Sequence, residues 1–203
     1  MQRAIGMVEF NSIARGIYAA DQMVKISEVE IVTAASTCPG KYIAIVHGDV
    51  AAVEDSVRIG ERMAEEFFVD SIVIPNVDPG VFPAITGATM PDRVQAIGIM
   101  ESFSLATMII CADQILKAAE LQAIELRLGN GLGGKAYFTY TGDVAAVKAG
   151  TDAGEAIAQE KGLLVNSEVI PSPSELLVPS MLGQVKLPFK LIFITLSLNL
   201  FFR

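Results

Sequence analysis

Ala4-Ile5-Gly6-Met7-Val8-Glu9 returns as Ala96-Ile97-Gly98-Ile99-Met100-Glu101, and Ala20-Asp21-Gln22-Met23-Val24-Lys25 returns as Ala112-Asp113-Gln114-Ile115-Leu116-Lys117, each offset by 92 positions. Gly48-Asp49-Val50-Ala51-Ala52-Val53 recurs unchanged as Gly142-Asp143-Val144-Ala145-Ala146-Val147, and Val73-Ile74-Pro75 as Val169-Ile170-Pro171. The matches keep their order, so the chain is a tandem duplication of a unit of about 90 residues, far longer than a solenoid repeat. Residues 87–93, GATMPDR, carry the glycine, proline and charges of a boundary. The expected divisions are 1–86, a linker 87–93, 94–180, and an apolar tail 181–203.

Both copies spell the same elements. A short apolar strand, 4–9 or 96–101, precedes a good N-cap residue, Ser12 or Ser104. Ile13, Ile17, Ala20, Met23 and Val24 then fall at helical spacing. Residues 29–37 and 41–47 read as a β-hairpin, matched by 121–129 and 135–141. Asp49 and Asp143 are placed to N-cap a second helix, running to about Glu66 and Gln159. A last strand, 70–74 or 162–170, closes the unit. The order βαββαβ predicts an α+β class, two ferredoxin-like layers of four strands with two helices on one face.

Composition narrows the function. The 203 residues are 52% hydrophobic and carry 15 basic against 23 acidic side chains, for a net charge of −8. A nucleic-acid binder needs a basic face to displace counterions, so none is expected as a partner. Two cysteines and no signal-like start point to a reducing, cytoplasmic setting without a disulfide framework. Residues 187–202 are strongly apolar, yet 16 residues fall short of the ~20 a spanning helix needs, so no membrane partner is expected and the stretch reads as a dispensable extension or else as an anchor or partner-binding peptide. A mean hydropathy of +0.48 without tryptophan fits a chain that shares much of its surface with partners.

The repeat also sorts candidate residues. Glu9/Glu101, Asp21/Asp113 and Asp49/Asp143 occur in both copies and read as structural. His47, the only histidine, has Thr141 as its counterpart in the other copy and reads as a satisfied polar residue at a strand end. The strongest one-copy feature is the hairpin loop Ser36-Thr37-Cys38-Pro39-Gly40, where the second copy has the longer Gly129-Asn130-Gly131-Leu132-Gly133-Gly134. Proline fixes the backbone after the thiol and Gly40 permits a tight return. Cys111 lies in an apolar helical run and reads as an inert core residue.

The AIG-[MI]-[VM]-E strand, the A-D-Q-x-x-K helix, the G-D-V-A-A-V helix start and the V-I-P ending together resemble bacterial microcompartment shell domains, over residues 3–178. Two in one chain resemble the tandem-domain shell proteins, in the ordinary rather than the circularly permuted arrangement. One departure is the ending Pro171-Ser172-Pro173-Ser174, where the family usually has Arg-Pro-His. The resemblance implies a non-enzymatic shell component, a pseudo-hexameric homotrimer packing with other shell proteins. Lys25 and Lys117 would take the edge-packing position; each also suits the C-terminal end of its helix dipole. Both hairpin loops would face the axis and line a central pore.

The Cys38-Pro39-Gly40-Lys41 run resembles in particular the shell proteins of propanediol-utilisation compartments that carry an iron–sulfur cluster in the pore. By that resemblance three Cys38 thiolates, one per chain, ligate a single [4Fe–4S] cluster for electron transfer or redox sensing, with an internal redox enzyme as a possible partner. Ser36 and Thr37 are placed to donate hydrogen bonds to its sulfurs. Three alternatives stay open: a cluster-free gated metabolite pore lined by a bare thiol, an incidental loop cysteine, and a regulatory trimer unrelated to any shell.

Overall fold

The computed structural model describes residues 4–87, 89–91 and 93–182. The chain divides into a body of residues 1–173 and a C-terminal segment of residues 174–203. Ala88 and Asp92 of the expected linker, and the expected tail from 183 onward, lie outside the described residues.

In the first copy β1 (Ala4–Phe10), α1 (Ile13–Ile26), β2 (Val29–Thr37), β3 (Lys41–Gly48), α2 (Val50–Ala64) and β4 (Phe68–Ile74) follow the expected order. After a short helix α3 (Val81–Thr86), the second copy repeats it with β5 (Ala96–Ser102), α4 (Leu105–Ala118), β6 (Gln122–Leu128), β7 (Ala136–Gly142), α5 (Val144–Glu160) and β8 (Leu164–Ile170). The sheets are ordered β2-β3-β1-β4 and β6-β7-β5-β8, antiparallel throughout, which is the ferredoxin-like arrangement. Even the irregularities repeat: register shifts fall at Ile31/Thr33 and again at Ala123/Glu125. In the C-terminal segment a single helical turn, α6 (Val178–Met181), is described.

Local chemistry explains the boundaries. Ser12 Oγ accepts from the Arg15 N–H at 3.3 Å and Ser104 Oγ from the Thr107 N–H at 3.1 Å, so both first helices carry a real cap. Asp143 accepts from the Ala146 N–H at 2.8 Å. Asp49 differs from expectation: it sits at the N-cap but makes no side-chain cap bond, leaving it only the helix-dipole interaction. α2 also stops short of Glu66, because Glu65 turns to φ 51° and opens a 3-10 turn over Glu65–Phe67.

Strand β1 is buried at all seven positions. A sheet with one wet face would alternate, so continuous burial means both faces are covered. One face meets its own helices through a small core that includes Phe10, Met23, Tyr42, Val53 and Val57. The other contributes Ile5, Met7, Ile43 and Ile45 to a larger core shared with Met100, Leu105, Ile109 and Ile115 of the second copy. Val77, Val81 and Ala84 join that shared core, so the segment after β4 and helix α3 fasten the copies together.

Candidate functional site at the paired hairpin tips

Strands β2 and β3 pair out to Thr37 and Lys41, leaving Cys38-Pro39-Gly40 as the hairpin tip. Gly40 adopts φ 78°, the left-handed value that closes a three-residue turn, and a Cβ there would meet nothing within 4 Å. Ser36, Pro39 and Gly40 are exposed, Cys38 is half-buried, and Thr37 is buried. In the second copy Leu128 and Ala136 close the ladder. The loop beyond them is two successive turns, with the Leu132 N–H donating to the Gly129 carbonyl and the Lys135 N–H to the Leu132 carbonyl, both at 3.2 Å.

The two tips meet. Thr37 Oγ1 donates to the Leu128 carbonyl at 3.0 Å. This differs from the expectation that Thr37 aims its hydroxyl at a cluster: its proton goes to the second copy's backbone. Ser36 is left exposed. Beneath each tip lies an equivalent ion pair, Lys41 Nζ to Glu9 Oε1 at 2.8 Å and Lys135 Nζ to Glu101 Oε2 at 2.7 Å. Glu9 is 3% exposed, so its carboxylate needs that lysine, which supports the structural reading of the repeated acids.

The remaining candidates sit elsewhere. Lys117 Nζ bonds Asp113 Oδ2 at 2.7 Å and the Asn76 carbonyl, while Asp113 Oδ1 accepts from the Asp78 N–H at 2.8 Å. This group pins the end of the first copy onto α4. Its equivalent, Lys25 with Asp21 at 2.5 Å, stays on the surface. His47 Nε2 lies 3.4 Å from Glu30 Oε2 and its ring meets the Phe82 ring at 5.3 Å. Cys111 is fully buried; its Sγ donates to the Gly154 carbonyl at 3.5 Å, and burial pushes the thiol up to about 11. Among the described residues no three His, Cys, Asp or Glu side chains gather to hold a metal within one chain.

The family model described as "BMC domain" matches residues 4–77 and again residues 96–173. The chain belongs to the BMC-domain family of microcompartment shell proteins. This BMC-domain chain is 40% identical over 175 residues to the bacterial microcompartment shell protein PduT of Citrobacter freundii, covering 86% of this chain and 95% of that one. A single-domain relative, shell protein EutM of Salmonella typhimurium, is 41% identical over 81 residues, 39% of this chain and 81% of its own. Among solved structures, a microcompartment protein from Desulfitobacterium hafniense is 47% identical with a TM-score of 0.84, covering 88% of this chain and 99% of that chain. A BMC-domain shell protein is structural rather than catalytic and assembles with other shell proteins. No helix among the described residues is long and apolar enough to cross a membrane.

The sequence left two features of this BMC-domain pair unseen. One is α3, hidden because Pro83 sits inside a six-residue helix next to linker-like composition. The other is the contact of the two hairpin tips, whose only sequence signal is the glycine content of the longer loop.

Proposed function

We propose that this shell protein is a homotrimeric tile whose three Cys38 thiolates hold one [4Fe–4S] cluster on the central axis, passing electrons across the shell or sensing redox state. The observation that carries this reading is the placement of Cys38: one thiol, in one copy only, at the tip of a hairpin with open space over the adjacent Gly40. A single thiol per chain cannot build a cluster alone, and a threefold axis supplies the other two. The donor set therefore fits a three-chain site and no one-chain site. When bound, such a cluster supplies one-electron chemistry, and three cysteine ligands leave its fourth iron open. The chain's own part is to present the thiol from a turn fixed by Pro39 and Gly40, above the neutralised Lys41–Glu9 pair. An internal redox enzyme is the partner this role calls for.

Pseudo-symmetry supports the trimer. In the second copy Leu105 and Ile109 are 1% and 0% exposed, covered within the chain by the first copy's sheet. Their equivalents on α1, Ile13 and Ile17, are 41% and 55% exposed, and Ile31 of β2 is 52% exposed where Ala123 is buried. Each chain thus carries one filled joint and one open copy of it. Docking the second copy of the next chain onto α1 uses the same chemistry, with Lys25 and Asp21 taking the Ser172 carbonyl region as Lys117 and Asp113 take Asn76. Head-to-tail contacts close into a ring when the rotation per step closes, as it would for three two-copy chains around a pseudo-sixfold axis. Edge packing against neighbouring tiles belongs to the same proposal and falls to the part of each lysine side chain, Lys25 and Lys117, that stays exposed when its ammonium is held within the tile.

A second reading, a gated metabolite pore without a cluster, draws on Gly131 and Gly133, at which a Cβ would meet nothing within 4 Å. Anaerobic isolation separates the two. The cluster reading expects brown protein with a broad visible absorption band and a paramagnetic signal on reduction, all lost in Cys38→Ser while the trimer persists. Colourless wild-type protein after iron and sulfide reconstitution overturns it and leaves the gated pore.

A further inference from the structure

We infer that the second copy's hairpin loop is a clamp that fixes the Cys38 thiol, with Thr37, Gly129 and Gly134 as its positioning residues. An exposed three-residue tip has little of its own copy to hold it. The residue before the thiol, however, is 5% exposed, and its hydroxyl is tied to the Leu128 carbonyl of the other copy. Gly129, at φ 79°, makes that bond possible: a Cβ there would fall 2.0 Å from Thr37 Oγ1 and 3.3 Å from Thr37 Cβ. On the far side Gly134, at φ 91°, would place a Cβ 3.3 Å from Pro39 Cδ and 3.7 Å from the Cys38 carbonyl oxygen.

The glycines of this loop therefore fall into two kinds. Gly131 and Gly133 border open space, whereas Gly129 closes on Thr37, the residue before the thiol, and Gly134 on Pro39, the residue after it. Metal ligation tolerates displacements of only a fraction of an ångström, so a thiol on an unsupported tip would be ordered at the expense of binding. Neighbours that orient a ligand commonly change metal affinity about 10- to 100-fold when removed. The cluster arm of this inference rests on the function proposed above; the clamp itself is a property of the metal-free chain.

The full chain tests it with four variants. Thr37→Val keeps the shape and removes the donor, Thr37→Ser keeps the donor, Gly129→Ala drives the hydroxyl off Leu128, and Gly134→Ala presses more gently on Pro39. The readouts are the rate of Cys38 alkylation by iodoacetamide in metal-free protein, followed by mass spectrometry with the buried Cys111 as the unreactive control for unfolding, and the iron and sulfide bound after anaerobic reconstitution. Thr37→Val and both alanine variants should alkylate several-fold faster and bind cluster about 10-fold more weakly or worse, with Thr37→Ser close to wild type and the oligomer unchanged. Wild-type rates and wild-type iron content in Thr37→Val and Gly129→Ala overturn the clamp and leave the cluster standing. Faster alkylation in those variants while wild-type protein takes up no iron sinks the cluster and keeps the clamp. If Thr37→Val does not fold, Gly134→Ala against Gly131→Ala, which carries the same positive-φ strain over open space, decides the same question: equal alkylation rates in the two overturn the clamp.

Discussion

Cys38 and Cys111 show how far position alone separates two identical side chains. Cys38 is half-buried at a loop tip, whereas Cys111 is wholly enclosed and its thiol is pushed up to about 11 by desolvation. At about pH 8 an alkylating reagent should therefore label Cys38 alone in the native metal-free chain, with Cys111 labelled only after unfolding, as peptide mass mapping would show. The same burial has an energetic sign. Below the ordinary thiol value Cys111 is protonated in both states; above it the unfolded chain ionises first, so stability falls as pH rises through about 11. Tyr140 and Tyr137, each pushed up to about 12 chiefly by burial, extend the fall further into alkali. Denaturant midpoints across that range should decline, and Cys111→Ala should flatten the earlier part of the decline.

At the scale of elements the duplication provides its own control. Asp143 and Asp49 stand at matching N-caps, but only Asp143 bonds a helix N–H. Asp143→Ala should cost about 1 kcal/mol and Asp49→Ala no more than a few tenths, measured by chemical denaturation. Strands and long helices were legible because every periodic pattern was written twice, and the sheet order follows once βαββαβ is recognised. Helix α3 was not, since six residues with an internal proline give no periodicity to read. The site divides in the same way. Cys38 stood out because its counterpart loop lacks a thiol, a comparison made within one sequence. The partner of Thr37 was invisible because Leu128 lies 91 residues away and offers only a backbone carbonyl, which no side-chain motif encodes.

At the scale of the whole molecule, equivalent isoleucines have opposite fates. Ile109 is 0% exposed inside the shared core, and Ile17 is 55% exposed on α1. Ile109→Glu buries an unpaired carboxylate at several kcal/mol and should abolish folding. Ile17→Glu should leave the circular dichroism spectrum unchanged yet shift light-scattering mass from that of the proposed trimer to that of a monomer. A trimer unaffected by Ile17→Glu would place the assembly contact on another face.

Because the sheet of the first copy and its Val77–Val81–Ala84 extension are built into the core around α4, neither half is a free-standing ancestor any longer. A gene cut back to one copy would inherit either an orphaned greasy lining or a helix stripped of its cover. The fusion has become a ratchet: descent can reshape the two halves separately, as the unequal hairpins attest, but it cannot easily divorce them.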